Sequence, residues 1–190
     1  MADLKKLAIF ISGRGSNMQS IVNACQTGDI PAEVAIIISN RADAAGLEFA
    51  KNNNIPTAVI NHKDFPTRAA FEEALQEALV PHNVDLICLA GFMRVLTDHF
   101  ITKWPEKILN IHPSLLPKFK GLHPQRQALE AGESESGCSV HYVVPELDSG
   151  PVILQKIVPI EENDTEETLS ARILEQEHIA YPEAIRKILT

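Results

Sequence analysis

The first 90 residues alternate short apolar runs with amphipathic stretches, and this alternation constrains the fold more than any other feature. The apolar runs cover residues 7–11, 34–38, 57–60 and 84–90. Between them, apolar residues recur at helical spacing, as in residues 67–79. Continuous apolar runs are typical of strands buried on both faces, and strand–helix alternation favours parallel pairing through right-handed crossovers. We therefore predict an α/β fold with an open, mostly parallel Rossmann-like sheet and helices on both faces.

The alternation stops after Gly91, where the pattern predicts that the sheet becomes mixed. A strand over residues 107–112 must end at Pro113, and two further strand candidates, 138–144 and 152–159, are joined by a Gly/Pro turn. The last helix is expected to begin with Asp164 as its N-cap and Glu167 at the capping-box position. No repeat, linker or low-complexity tract interrupts the chain, so we expect a single domain over residues 1–190.

Composition narrows the functional class. With 17 Lys and Arg against 25 Asp and Glu, the net charge is −8, which disfavours a nucleic-acid partner. The three cysteines are odd in number and widely spaced, and the histidines lack metal-ligand spacing, so we expect neither disulfides nor a metal site. No signal peptide and no run of membrane-spanning length is visible, so we expect a cytoplasmic protein without a membrane partner.

A glycine loop, Gly13-Arg14-Gly15, follows the first strand and opens a helix. Such a loop lets the backbone approach a phosphate, to which the helix N-terminus offers free N–H groups, and Ser16 and Asn17 add side-chain donors. A dinucleotide fingerprint would need a third glycine where Met18 stands. The loop thus favours a phosphate site, although a tight turn alone also explains the glycines, and Arg41 after the second strand leaves an NADP site open.

Polar residues gather near the end of the strand over 107–112. Asn110 and His112 are two residues apart, so their side chains share one face of that strand. An amide and an imidazole there can stabilise the oxyanion of an acyl transfer, or simply satisfy a strand end. Asp148 lies in the Gly/Pro turn, where it caps its own backbone unless it pairs with His112 and stabilises the charged imidazole.

Glu177 interrupts an apolar helix face. It follows Leu169 and Ile173 at four-residue spacing, so the sequence places a carboxylate on the face that should pack against the core. A carboxylate there needs a polar partner, which predicts a buried ligand contact. The alternative is an imperfect apolar stripe near the frayed end of the helix.

Five segments occur in order along nearly the whole chain and together resemble the phosphoribosylglycinamide formyltransferases, within the folate-dependent formyltransferase family. They are residues 11–17, 89–96, 109–117, 147–152 and 176–182. The stretch 110–117 resembles a segment shared by folate-dependent formyltransferases and hydrolases. The glycine loop and residues 176–178 narrow the resemblance to the phosphoribosylglycinamide formyltransferases. Pro124-Gln125 after His123 departs from the family pattern.

The resemblance implies a transferase that moves a formyl group from the co-substrate 10-formyltetrahydrofolate to the amine of glycinamide ribonucleotide in de novo purine biosynthesis. It implies direct attack through a tetrahedral intermediate, stabilised by Asn110 and protonated His112 with support from Asp148, and no metal. The substrate ribonucleotide would be held by Gly15, Ser16, Asn17 and Glu177. The folate would be held by Met93, Arg94, Val95, Leu96 and Asn110, with Arg68 nearby.

The same resemblance implies a phosphate-binding half over about residues 1–90 and a folate-binding and catalytic half over about 91–190. It implies small-molecule partners and a monomer or homodimer. Two rival interpretations share the folate chemistry: an enzyme that formylates methionyl-tRNA and an enzyme that hydrolyses formyltetrahydrofolate. Each of them is expected to carry a further domain. Rivals from other classes are an NADP-dependent oxidoreductase and a non-catalytic phosphosugar-binding module.

Overall fold

The computed structural model describes residues 4–190, which form seven strands and six α-helices. The strands are β1 (Lys5–Ile11), β2 (Ala32–Ser39), β3 (Thr57–Val59), β4 (Leu86–Leu89), β5 (Ile108–His112), β6 (Glu135–Tyr142) and β7 (Val152–Pro159). The helices are α1 (Ser16–Thr27), α2 (Gly46–Asn52), α3 (Arg68–Leu79), α4 (Asp98–Lys103), α5 (Pro124–Glu130) and α6 (Glu166–Leu189). Short 3₁₀ turns follow β3 and α3.

All seven strands belong to one sheet, in the order β3-β2-β1-β4-β5-β6-β7. The first five strands are parallel, whereas β6 runs antiparallel to β5 and β7 antiparallel to β6. The predicted α/β fold with a parallel half that continues into a mixed sheet is therefore confirmed. The strand order reverses at β1 and β4, and open sheets of this kind bind ligands at the carboxyl ends of the strands beside such a reversal.

Two apolar layers cover the two faces of the sheet. Along β1, Leu7, Ile9 and Ile11 pack into one layer with α1, α2 and α6. The alternate residues Ala8 and Phe10 pack into the other layer with α3 and α4. This alternation explains why residues 7–11 of β1 are all apolar, as a stretch of strand covered on both faces must be.

The last helix begins one residue later than predicted. Thr165, not Asp164, is the N-cap: its hydroxyl accepts from the backbone N–H of Thr168 at 3.3 Å, while Thr168 Oγ1 accepts from the N–H of Thr165 at 2.9 Å. The prediction of Asp164 and Glu167 was therefore wrong. Asp164 instead accepts from Arg172 Nη1 at 2.7 Å, and this guanidinium holds the pKa of the carboxyl well below its usual range.

A buried tyrosine ties α6 to the centre of the sheet. Tyr181 is fully buried, and its hydroxyl faces the carbonyl oxygens of Leu89 and Leu109 at 3.0 and 3.1 Å. Leu89 is the last residue of β4, and Leu109 is the second residue of the neighbouring strand β5. One residue of α6 thus positions the helix against two central strands. Across residues 4–190, none of the helices combines the length and apolarity needed to cross a membrane.

Candidate functional site

The glycine loop lies between the carboxyl end of β1 and the start of α1. Gly15 is the N-cap of α1 and has φ +70°, a conformation that residues with a Cβ rarely adopt. A Cβ at this position would lie 2.7 Å from Met18 Cε and 3.3 Å from Gly46 Cα. Because glycine offers no side-chain acceptor, the first-turn N–H groups of α1 remain available to a ligand.

Neighbouring segments support this loop from two sides. The N–H of Gly46 donates to the carbonyl of Gly13 at 3.0 Å. The hydroxyl of Ser12 donates to Asn40 Oδ1 at 2.5 Å and accepts from the backbone N–H of Met93 at 2.8 Å. Ser12 thus connects the glycine loop with the segment that follows β4.

Asn17 and Glu177, predicted separately, form a hydrogen-bonded pair. Asn17 Nδ2 donates to Glu177 Oε2 at 2.7 Å, and both residues are buried. Burial raises the pKa of the Glu177 carboxyl, and the hydrogen bond from Asn17 partly opposes that rise. Asn17 Oδ1 is buried and has no hydrogen-bond partner among the described residues, which leaves one acceptor of the pair unsatisfied.

Asn110, His112 and Asp148 also come together. Asn110 and His112 lie on β5, and Asp148 Oδ2 is 3.4 Å from His112 Nδ1, with both side chains less than a tenth exposed. The same carboxylate oxygen accepts from the N–H of Gly121 at 2.9 Å, and His112 Nε2 donates to the carbonyl of Phe119 at 2.9 Å. The loop after β5 therefore covers the imidazole and binds the carboxylate.

His141 is a fourth polar member of this cluster, and it is not among the site residues predicted from the sequence. It lies on β6 directly opposite Asn110, and the ring Nε2 is 3.2 Å from Asn110 Nδ2. Burial lowers the pKa of His141, while its contact with the Tyr142 carbonyl and the nearby Asp148 oppose that shift. No local sequence pattern indicates this pairing, because the register of two antiparallel strands is a tertiary property.

A cavity of about 630 Å³ opens beside the cluster. Its wall includes Asn110, His112, His141 and Asp148, and the rest is mainly apolar. The residues predicted for folate that line it are Met93, Arg94, Val95 and Leu96. Arg68 is exposed at the start of α3 and is not among the lining residues. Met93 is 75% exposed and Leu122 81%, so the cavity mouth presents apolar surface to a ligand.

The structure also bears on the NADP site left open above and on metal binding. The guanidinium of Arg41, on which an NADP site depended, is engaged with Asp43 at 2.7 and 3.0 Å. Within residues 4–190, no group of three or more His, Cys, Asp or Glu side chains is arranged to hold a metal ion.

The fold and the site define an α/β protein whose ligand crevice lies where the strand order reverses. A glycine loop stands at the end of β1, and a polar Asn–His–Asp cluster meets an apolar cavity at the end of β5. Comparison with known sequences shows which family has this architecture. The formyl transferase family profile matches residues 5–185, and the chain belongs to that family.

Relatives in sequence and structure agree with this assignment. Phosphoribosylglycinamide formyltransferase of Haemophilus influenzae is 48% identical over 183 residues, which cover 96% of this chain and 86% of that protein. The crystal structure of glycinamide ribonucleotide transformylase 1 from Symbiobacterium toebii superimposes with a TM-score of 0.95 at 49% identity, covering 98% of this chain and 88% of that one.

Longer proteins contain a similar segment. The trifunctional purine biosynthetic protein adenosine-3 of Chironomus tentans is 51% identical over 186 residues, which cover 97% of this chain. This chain spans 14% of the length of that relative, so the similarity concerns one part of a larger protein.

Proposed function

We propose that this protein transfers a formyl group from 10-formyltetrahydrofolate to the amino group of glycinamide ribonucleotide, a step of purine biosynthesis. The observation that carries this proposal is the convergence of Asn110, His112 and Asp148 at the wall of the apolar cavity. Two donors beside a carboxylate suit an acyl transfer, and the cavity offers an apolar surface on which a flat pterin-like ring can lie. The names of the relatives supply the ribonucleotide acceptor and the formyl group, and the folate donor follows from the family resemblance of the sequence segments.

The reaction has two covalent steps. The amine nitrogen of the ribonucleotide attacks the formyl carbon, and the electrons of the carbonyl π bond move to oxygen to form a tetrahedral oxyanion. The bond from carbon to the folate's tenth nitrogen then breaks, that nitrogen takes up a proton, and the amine loses one. Asn110 and protonated His112 donate to the oxyanion, and each such donor is worth about 3 kcal/mol of transition-state stabilisation.

Both ring nitrogens of His112 have partners in this structure. Nε2 donates to the carbonyl of Phe119, and Nδ1 faces Asp148 at 3.4 Å. An imidazolium has only two N–H groups, so we infer that Nε2 exchanges the Phe119 carbonyl for the oxyanion when the substrates bind, while Nδ1 stays with Asp148. The Asp148 carboxylate stabilises the protonated ring and, with a water molecule, can relay the proton that the amine loses to the leaving nitrogen.

The remaining site residues orient the two substrates. We assign the ribose phosphate to Gly15, Ser16 and Asn17, where the start of α1 offers donors to an anion. Glu177, held by Asn17, is assigned to the rest of the ribonucleotide. Binding the remote phosphate orients the amine toward the formyl carbon.

We assign the folate to the cavity beside the polar cluster. The segment Met93, Arg94, Val95 and Leu96, together with Asn110, would contact the ring system. Arg68, which lies outside the cavity lining, would meet the part of the folate that extends into solvent.

We further propose a cytoplasmic monomer or homodimer that needs no metal and has neither nucleic acid nor membrane as a partner. Its single domain would divide into a phosphate-binding half over about residues 1–90 and a folate-binding and catalytic half over about 91–190. Light scattering with and without both substrates tests the oligomeric state.

One assay tests the proposed reaction. The purified protein is mixed with 10-formyltetrahydrofolate and glycinamide ribonucleotide, deformylation of the folate is followed by absorbance, and the formylated ribonucleotide is identified by mass spectrometry. We expect product only when both substrates are present. Formate release without the ribonucleotide would instead indicate a hydrolase. Formylation of methionyl-tRNA would indicate a different acceptor. If neither product forms, the protein is a non-catalytic binding protein.

A further inference from the structure

The two ring nitrogens of His141 have different partners. One faces a carbonyl oxygen, and the other faces Asn110. Nδ1 lies 2.9 Å from the carbonyl oxygen of Tyr142, which can only accept a hydrogen bond. Nδ1 must therefore carry a hydrogen. In the neutral ring, Nε2 is then an acceptor.

This tautomer determines how Asn110 is oriented. Nε2 lies 3.2 Å from Asn110 Nδ2, so the amide presents its nitrogen, rather than its oxygen, to His141. One of the two amide hydrogens is used in this bond, and the other is left to donate elsewhere. An amide without this partner could rotate by half a turn and present its oxygen, an acceptor, where a donor is required.

The pairing is built into the sheet. Asn110 and His141 are directly opposite each other in the antiparallel pair of β5 and β6. His141 is 2% exposed, so water does not replace Asn110 as its partner. The titratable groups of the described residues that act on it are Asp148, whose Oδ1 is 3.8 Å from Nε2, and His112 on the same strand as Asn110.

We propose that His141 is a positioning residue, which in its neutral form holds the Asn110 amide with a hydrogen directed at the formyl oxygen. This inference rests on the proposed formyl transfer, because the oxyanion is the group that Asn110 serves. His141 would act on the reaction through Asn110, not as a donor to the oxyanion itself. Protonation of Nε2 would place two donors face to face, break the contact with Asn110 and draw Asp148 toward His141 and away from His112.

Burial favours the state that this role needs. Because the pKa of His141 is lowered, the ring stays neutral at neutral pH and gains its proton only in more acidic solution. Part of the activity lost on the acidic side of the pH profile should therefore come from His141.

The first test measures the tautomer in the wild-type protein and needs no catalytic activity. Nitrogen-15 spectra of protein labelled in its histidine rings report which nitrogen is protonated, and the His141 signals are those missing from the His141→Gln variant. We expect a neutral ring with hydrogen on Nδ1 at neutral pH. Hydrogen on Nε2, or a charged ring, would overturn the proposal even if formyl transfer is confirmed.

The second test compares two replacements of His141. His141→Gln can still accept from Asn110 but does not titrate, whereas His141→Leu fills similar space without an acceptor. We expect His141→Leu to lower kcat by about 100-fold, as loss of an oxyanion donor does, with both KM values changed less than about threefold. His141→Gln should keep most of the turnover and retain it to lower pH than wild type.

His82→Gln, on the 3₁₀ turn after α3, is the matched control, since it removes a histidine that precedes the amino end of β4, opposite the strand ends that form the site. It should leave kcat and the pH profile unchanged. The proposal fails if His141→Leu keeps wild-type kcat, or if His141→Gln has the acidic limb of wild type. Absence of formyl transfer in the wild-type protein would instead refute the proposed function, and the tautomer would still be measurable.

Discussion

Asp148 Oδ2 lies 3.4 Å from His112 Nδ1, although one residue belongs to the turn before β7 and the other ends β5. The same oxygen accepts the N–H of Gly121, so the carboxylate links the imidazole to the loop that covers it. Asp148 adopts φ +49° to reach this position. A strained backbone that places a carboxylate beside an imidazole is a common feature of functional sites.

Replacing Asp148 with Asn should therefore impair turnover more than folding. An amide can still accept from Gly121, but it lacks the charge that stabilises protonated His112. We expect kcat to fall by about 10²-fold or more, measured in the formyl-transfer assay, with a small change in melting temperature. Asp85→Asn is the control, because Asp85 also accepts a backbone N–H, from Lys6 at 2.9 Å, at the amino ends of the central strands β1 and β4. Equal turnover in the two variants would contradict the role of Asp148.

Gly15→Ala should weaken binding of the ribonucleotide. The new Cβ would meet Met18 Cε and Gly46 Cα, and φ +70° adds about 1–2 kcal/mol of backbone strain. We expect KM for the ribonucleotide to rise about tenfold or more, with a smaller change in KM for the folate. Gly28→Ala carries similar strain at φ +82° with open space around it, at the far end of α1. It should lower stability alone, so a comparable KM rise in Gly28→Ala would refute the loop assignment.

Glu177→Gln should stabilise the folded protein while weakening substrate binding. Burial raises the pKa of Glu177 in the folded state, so its ionised form opposes folding above that pKa. This unfavourable contribution disappears as the pH falls below the pKa of the unfolded chain. The melting temperature of Glu177→Gln should therefore exceed that of wild type at neutral pH, and the difference should shrink in acid. Glu175→Gln, exposed on the same helix, should show no such trend.

Tyr181→Phe should lower the free energy of unfolding by about 1–3 kcal/mol, because the carbonyls of Leu89 and Leu109 lose a buried donor. Denaturant titration measures this change. Tyr142→Phe, at the chain's other tyrosine, which is only partly buried, is the comparison. If both variants lose the same stability, the Tyr181 hydroxyl does not anchor α6 to β4 and β5.

Local patterns predicted the elements of this fold well, and the errors have physical causes. Strand β6 begins at Glu135, three residues before the predicted start, because polar residues and Gly137 interrupt its apolar pattern. Gly137 is needed there, since a Cβ would collide with the carbonyl oxygen of Lys156 on β7. The N-cap of α6 was missed by one residue because the Asp164 side chain is engaged by Arg172. Both causes are contacts with other parts of the chain.

The sequence by itself determined the α/β class, the glycine loop and the shared face of Asn110 and His112, because strand and helix periodicities and turn chemistry act over a few residues. The pairing of Asp148 with His112, of Glu177 with Asn17 and of His141 with Asn110 was decided only by the tertiary structure. Each joins side chains from separate elements. Their approach depends on how α6 packs against α1, on the register of β6 against β5 and on where the turn before β7 folds back. Those arrangements follow from burial of apolar surface over the whole chain, and no local stretch of sequence contains them.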